Sequence, residues 1–344
     1  MGTDLTPEKM MGFLYELPEQ FERCRQLQFD LERYQRDYRQ IIVTGLGGSA
    51  IGGDILRTYA LNNALIPILV NRDYDLPRFT GPDTLVLAVS YSGNTEETLS
   101  AYQQAKSSGA DIICLTAGGK LLEMGQSDGF TVIKVPAGLV PRAATGYLFA
   151  PLALALEKMG LLHGVSNDIE EAISVLKNLR ESLCPRVDTP DNKAKAIAAR
   201  MKDSIPVIWG VSGVSETAAL RWKAQINENA KCPAYYNVFP ELNHNEIVGF
   251  EVPAEILSRL VVVILRSQSD KERINKRVEI SKNIIKDKVK NIIEVSSQGD
   301  SFLAQFYSLT YIGDYASAYL ALEYGINPTP VKVIDYLKAE LAKS

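Results

Sequence analysis

The chain has 344 residues, 46% of them hydrophobic and 23% charged, with 37 Lys plus Arg against 41 Asp plus Glu for a formal net charge of −4. That length exceeds the usual size of one core and predicts two domains, while the charge balance excludes a basic field for nucleic acid; residues 271–277 read as a solvated helix face. Cys24, Cys114, Cys184 and Cys232 lie far apart with no C-x-x-C pair, which argues against a zinc site or disulfide framework; with no secretory signal and no apolar stretch long enough to span a bilayer, the protein is expected to be soluble and cytoplasmic, with no membrane partner.

Residues 6–40 are charged and carry Phe13, Leu14, Leu17 and Phe21 at helical spacing, predicting one or two amphipathic helices that cover the first domain. A buried strand at 41–44 runs into Gly45-Leu46-Gly47-Gly48-Ser49-Ala50, followed by a helix to about residue 60 and a strand at 66–70. The apolar run 85–89 suits a fully buried parallel strand. From its carboxyl end leaves Ser90-Tyr91-Ser92-Gly93-Asn94-Thr95-Glu96-Glu97-Thr98, opening a helix over 95–107. Strands at 112–115 and 131–135, a helix near 120–126 and a long helix over 141–158 complete this half. Strands alternating with helices mean a parallel sheet with helices on both faces.

A helical connector over 163–190 ends in Pro185 and Pro190, and a second round starts at 205–210. Val211-Ser212-Gly213-Val214-Ser215 opens a helix over 216–227, with further strands at 234–238, 260–266 and 292–296. Helices over 302–324 and 331–342 flank Asn327-Pro328-Thr329-Pro330. The expected domains are N-terminal helices at 1–40, a first domain at 41–160, a connector at 161–204 and a second domain at 205–344. The halves align as copies, but the exit of the 260–266 strand, Ser267-Gln268-Ser269, lacks the glycine and threonine of the 90–98 stretch. If one half binds phosphate, it is the first.

Ligands bind at the carboxyl ends of strands in open α/β sheets. There Ser90, Ser92, Thr95 and Thr98 offer hydroxyls, Gly93 lets backbone come close, and the helix after Thr95 presents free N–H groups to an anion. This reads as a phosphate cradle without lysine, although the same residue types make ordinary turns and N-caps. The Gly45–Ala50 loop matches G-x-G-x-x-[GA], so a dinucleotide site must be weighed. Its acidic partner after the second strand is missing, Asn71 and Arg72 standing there with Asp73 beyond. The loop serves equally as a second wall of a phosphosugar site, through Gly47, Gly48 and Ser49. No G-x-x-x-x-G-K-[ST] is present, which disfavours a nucleoside triphosphatase.

Together the two loops resemble the SIS (sugar isomerase) domain, a flavodoxin-like phosphosugar-binding module. Asn227-Glu228-Asn229-Ala230-Lys231, Glu241-Leu242-Asn243-His244-Asn245-Glu246 and Pro141-Arg142-Ala143 are further similar to the bifunctional phosphoglucose/phosphomannose isomerases, which carry two SIS domains. The resemblance covers essentially the whole chain after the N-terminal helices. It implies an α/β fold of two flavodoxin-like SIS domains, each a parallel sheet flanked by helices. The implied activity interconverts fructose 6-phosphate with glucose 6-phosphate and mannose 6-phosphate through an enediolate, without cofactor, metal or nucleotide, in a homodimer.

In the same resemblance Ser49, Ser90, Ser92 and Thr95 hold phosphate, and Gly47 and Gly48 line the sugar. Glu228 is the base, Arg142 stabilises the enediolate, and His244 and Lys338 open the ring, with His244 supplied by the other subunit. Residue by residue each has a plainer reading: a solvated helix-end glutamate, a helix-start arginine, an exposed loop histidine, a surface lysine. Asn243 and Asn245 flank His244 as candidates for orienting its ring. Lys332 is the alternative to Lys338, Thr329 is a candidate for holding a water that assists C2–C3 rotation, and His163 reads as a surface residue. Two rivals remain, a SIS regulator that senses a phosphosugar without turning it over and an NAD(P)-dependent oxidoreductase built on the glycine loop.

Overall fold

In the computed structural model, residues 6–341 and 343 are described. Two short helices open the chain, α1 (Pro7–Tyr15) and α2 (Leu17–Cys24). The first round comprises β1 (Gln40–Thr44), α3 (Gly48–Asn63), β2 (Ile68–Asn71), β3 (Thr84–Val89), α4 (Glu96–Ser107), β4 (Asp111–Thr116), α5 (Gly119–Ser127), β5 (Thr131–Lys134) and α6 (Thr145–Lys158). After α7 (Val165–Leu183) and α8 (Lys193–Met201) come β6 (Ile205–Val211), α9 (Val214–Gln225), β7 (Tyr235–Phe239), α10 (Ala254–Leu257), β8 (Leu260–Arg266), α11 (Glu272–Ile285) and β9 (Asn291–Ser296). α12 (Phe302–Glu323) and α13 (Lys332–Leu341) end the chain.

Packing divides these elements into two compact units. The N-terminal unit takes Glu16–Lys177 with Gly299–Gln305; the C-terminal unit takes the residues up to Tyr15, Asn178–Gln298 and Phe306 onward. The division cuts the expected 161–204 connector after Lys177 and groups Gly299–Gln305 with the N-terminal unit. α1 does not cover the first sheet but belongs with the C-terminal unit, where Tyr311 donates to Leu14 O at 2.8 Å. α2 does pack on the first unit, since Gln20 donates to Ala143 O at 2.8 Å and accepts from the amide of Gly146 at 3.1 Å.

The N-terminal sheet has the order β2-β1-β3-β4-β5, all neighbours parallel, which is the flavodoxin-like arrangement. β3 is buried along its whole length and β1 along all but its first residue, as apolar strands covered on both faces must be. The pairing sets Val43 beside Leu87 and Thr44 beside Ala88, so the loops leaving β1 and β3 emerge side by side. They lie at the topological switch point, because the chain crosses from β1 outward to β2 and from β3 outward the other way to β4. The C-terminal sheet repeats the order without a fifth strand, β7-β6-β8-β9, again all parallel.

The long helix expected over 141–158 is two elements, a 3-10 turn at Pro141–Ala143 and then α6. Three of the cysteines are buried, Cys232 is half-buried, and all four are free thiols. Burial pushes the Cys114 thiol up to about 12. Among the described residues no helix is long and apolar enough to cross a membrane.

Candidate active site

In the N-terminal unit the β3 exit folds back on itself. Gly93 adopts φ +72°, and a Cβ there would lie 1.7 Å from Gly118 O, so only glycine fits this crowded left-handed position. Ser90 is fully buried; its Oγ accepts from the amide of Gly93 at 3.1 Å and pairs with Thr95 Oγ1 at 2.9 Å. Ser90 therefore shapes the turn. Ser92 and Asn94 are exposed and Thr95 half-buried, which leaves them open toward solvent. Thr95 is the N-cap of α4 by position, yet its hydroxyl goes to Ser90 and makes no cap bond. The first-turn N–H groups of α4 keep their affinity for an anion as a result. The Thr98 hydroxyl, in the same turn, is buried and has no hydrogen-bond partner among the described residues.

The glycine loop supplies a second uncapped N-terminus. Gly47 caps α3 at φ 54° without any side-chain bond, is exposed, and has no atom within 4 Å of a would-be Cβ. Gly48 does the opposite: a Cβ there would come within 2.9 Å of the Pro141 carbonyl and 3.1 Å of Arg142 N. The loop thus seats the 3-10 turn that carries Arg142, whose side chain is 3% exposed. Ser49 Oγ accepts from the amide of Tyr91 at 3.2 Å, which joins the two loops.

Two positioning residues of this unit were not singled out from the sequence. Tyr91 donates its hydroxyl to Pro136 O at 2.9 Å and accepts from the amide of Leu139 at 3.0 Å, holding the approach to Arg142. Burial raises the pKa of that phenol, so it stays a protonated donor. Gln20, 1% exposed, clamps the other side of Arg142 through Ala143 and Gly146. Neither has a local signal, since both act on segments distant in sequence.

In the C-terminal unit Glu228 lies in a π-helical turn, Ile226–Ala230, appended to α9. Such turns are rare and often occur at functional sites. Ile226, Asn229 and Ala230 face inward, and Glu228 is half-buried. Lys231 follows at φ 58°, donating its ammonium to Glu228 O and, at 3.2 Å, to Pro328 O. That bond draws the 327–330 segment onto the turn. Glu228, Lys231, Lys332, Ile326, Val331 and Ile334 are among the residues lining a cavity of about 570 Å³.

Lys332 lines this cavity, and Lys338 is not among its lining residues. Six residues of helix turn the side chain through about 240°, which puts the two lysines on different faces of α13. Thr329 is 1% exposed and donates to Thr6 O at 2.9 Å. His244, itself exposed, ends a 3-10 turn, Glu241–His244, whose Leu242 is buried. The flanking asparagines do not orient its ring: Asn243 donates to Ser281 at 2.8 Å and Asn245 to Glu241 at 2.9 Å. The Asn245 amide serves its own turn, a local use of Asn, while that of Asn243 ties the turn to α11. His163 is exposed, with its carbonyl accepting from Tyr59.

The second sheet lacks an open cradle. At the β8 exit, Ser267 and Ser269 share a 2.7 Å hydrogen bond and Asp270 accepts from the amide of Ser267 at 3.0 Å. A carboxylate of the chain itself fills that turn. After β2, Arg72 pairs with Asp54 of α3 and Asn71 donates to Asp73 O at 2.9 Å, an arrangement without the acid a dinucleotide ribose requires. Among the described residues no three His, Cys, Asp or Glu side chains cluster as a metal site.

Known families match both halves: "SIS domain" over residues 36–121 and "Bacterial phospho-glucose isomerase C-terminal SIS domain" over residues 190–341. The bifunctional phosphoglucose/phosphomannose isomerase of Caldicellulosiruptor bescii is 49% identical over 97% of this chain and 99% of its own. That of Aquifex aeolicus is 36% identical over 92% of this chain and 95% of its own. Among solved structures, the C-terminal domain of glucosamine-fructose-6-phosphate aminotransferase from Francisella tularensis shares the fold with a TM-score of 0.72 at 14% identity, covering 93% of this chain and 98% of that one.

Proposed function

This chain belongs to the family of bifunctional phosphoglucose/phosphomannose isomerases, built from two SIS domains, and on that premise we propose that it interconverts fructose 6-phosphate with glucose 6-phosphate and mannose 6-phosphate. The observation that carries this reading is 49% identity sustained over nearly the full length of both chains. It is an intramolecular oxidoreductase acting on a sugar phosphate.

The uncapped starts of α3 and α4, with Ser49, Ser92 and Thr95, receive the phosphate, while Ser90 keeps the turn in shape and Gly47 and Gly48 border the sugar. Glu228 moves the proton between C1 and C2, a transfer that needs one positioned base. The Arg142 guanidinium stabilises the enediolate oxygen that carries the charge in between. His244, together with Lys338 or Lys332, opens the ring; the place of Lys332 in the cavity of Glu228 favours Lys332. The same reading makes the protein a homodimer in which His244 of each copy serves the other. What supports it is that His244 is exposed and absent from the lining of the Glu228 cavity, in a region that also exposes Tyr235, Val248 and Val252 at 60%, 64% and 77%.

The test incubates the purified protein with fructose 6-phosphate and a chelator and follows both aldose 6-phosphates by coupled assays. Both products are expected. Glucose 6-phosphate alone narrows the activity, and a sugar phosphate that raises the melting temperature without forming either product makes the protein a sensor. No step calls for a metal or nucleotide, so activity lost to the chelator and restored by zinc sinks that part of the reading.

A further inference from the structure

If Glu228 is the base, something must hold the π turn that carries it, because one residue more per turn breaks the register of the preceding α-helix. We propose that Ser317 of α12 is a positioning residue for Glu228, acting through Asn229; the inference rests on the base assignment above.

The contacts between α9 and α12 climb both helices together. Trp222 donates its indole N–H to Leu309 O at 2.9 Å, and a Cβ on Gly313 would lie 2.3 Å from that indole. One turn on, the Asp314 carboxylate takes both of its α9 partners, Arg221 at 2.7 Å and Gln225 at 2.9 Å. Ser317 donates to Asp314 O at 2.7 Å and accepts from Asn229 Nδ2 at 2.9 Å. Ser317, its own hydroxyl held by the Asp314 backbone carbonyl, thus ties down the residue beside Glu228, while the Asp314 carboxylate holds α9 one turn earlier. Arg221, Gln225, Asn229, Asp314 and Ser317 are each no more than 2% exposed.

A helix pair needs none of this merely to adhere. Well-packed apolar residues of similar volume hold two helices together without the desolvation penalty of a buried ion pair. What a satisfied polar network adds is direction, since it fixes one rotation and one register. Asn229 faces inward and its neighbour Glu228 is half-buried at the cavity, so a fixed Asn229 backbone fixes the root of the Glu228 side chain. A misplacement of about 1 Å at a reacting group costs on the order of 100-fold in rate.

The experiment compares S317A, N229A, the double variant and E228Q in full-length protein, measuring kcat and KM for fructose 6-phosphate, melting temperature, and kcat against pH. S317A and N229A are each expected to lower kcat about 10-fold or more with KM within about twofold. The double variant should be no worse than either single change, as for two groups of one unit. The acid limb of the kcat profile, which reports the base in its substrate complex, should move by about half a pH unit or more, and S317T, which keeps the hydroxyl, should restore kcat. Single variants with wild-type kcat, or losses that are additive with an unmoved acid limb, overturn the proposal while an inactive E228Q leaves the base assignment standing. Near-normal turnover by E228Q overturns the base assignment itself.

Discussion

Gly48 lies so close to Arg142 that a Cβ on the glycine would stand 3.1 Å from the arginine amide and 2.9 Å from the preceding carbonyl. The two residues are nearly a hundred positions apart, yet the glycine is what allows the Gly45–Ala50 loop and the Pro141–Ala143 turn to pack together. Gly48→Ala forces the Pro141–Ala143 turn to shift, an overpacking worth about 1–3 kcal/mol. We expect kcat to fall about 10-fold or more while binding of inorganic phosphate, measured by calorimetry, changes little. Unchanged kcat in a folded variant removes Gly48 from the placement of Arg142.

Glu228→Gln keeps the size and polarity of the side chain and removes the carboxylate proposed as the base. General-base transfer contributes about 100- to 10,000-fold, so turnover of fructose 6-phosphate should drop by that order with KM nearly constant. Deuterium exchange at C1 of fructose 6-phosphate, followed by NMR, should fall in parallel. Exchange at the normal rate rules Glu228 out.

Gln20 satisfies the carbonyl of Ala143 and the amide of Gly146, just after Arg142. Gln20→Leu keeps the volume but leaves both buried groups unpaired, at about 1–3 kcal/mol for each. Denaturant unfolding should show that loss, and activity at temperatures well below the melting point should fall as well because the Arg142 turn loosens. Full stability in Gln20→Leu excludes the clamp.

Glu171 accepts the amides of Asp300 and Ser301 just ahead of α12, at 2.6 and 2.9 Å. Burial pushes its carboxyl up, but the hydrogen bonds from Ser301 and Asp300 outweigh it and hold the pKa below the ordinary 4.5. A carboxylate depressed by folding contributes stability above its unfolded pKa and loses it as pH falls through the folded value. The melting-temperature gap between the wild type and Glu171→Gln should therefore be full at pH 7 and shrink below about pH 4.5. A gap that stays constant from pH 7 to about 3.5 means the charge at Glu171 is not involved.

Much of the fold is legible in the sequence because its causes are local. A buried parallel strand needs a continuous apolar run such as 85–89, and the turn leaving it needs Gly93 because no other residue tolerates the left-handed backbone so close to Gly118. The serines and threonine of the cradle, and the spacing that resembles the SIS family, are likewise written in neighbouring residues. The arrangement of hydroxyls is less legible: Ser90 and Thr95 read as equal ligands in sequence, yet one is buried in the turn and the other partly open.

The remaining features come from polar groups that find partners across long stretches of chain. No periodicity announces that Gln20 will clamp Ala143, that Tyr91 will hold Leu139, or that α1 will leave the first sheet for the C-terminal unit. The asparagines beside His244 read as partners for its ring, but Asn245 bonds Glu241 within its own turn and Asn243 bonds Ser281 on α11. The π turn under Glu228 is the clearest case. The α9 sequence by itself reads as helix to its end, and the extra residue is accommodated where Asn229 meets Ser317 on a helix almost ninety positions away. Backbone conformation and burial pattern follow from the residues at hand; the partner of a buried donor follows only from where the folded chain brings its acceptor.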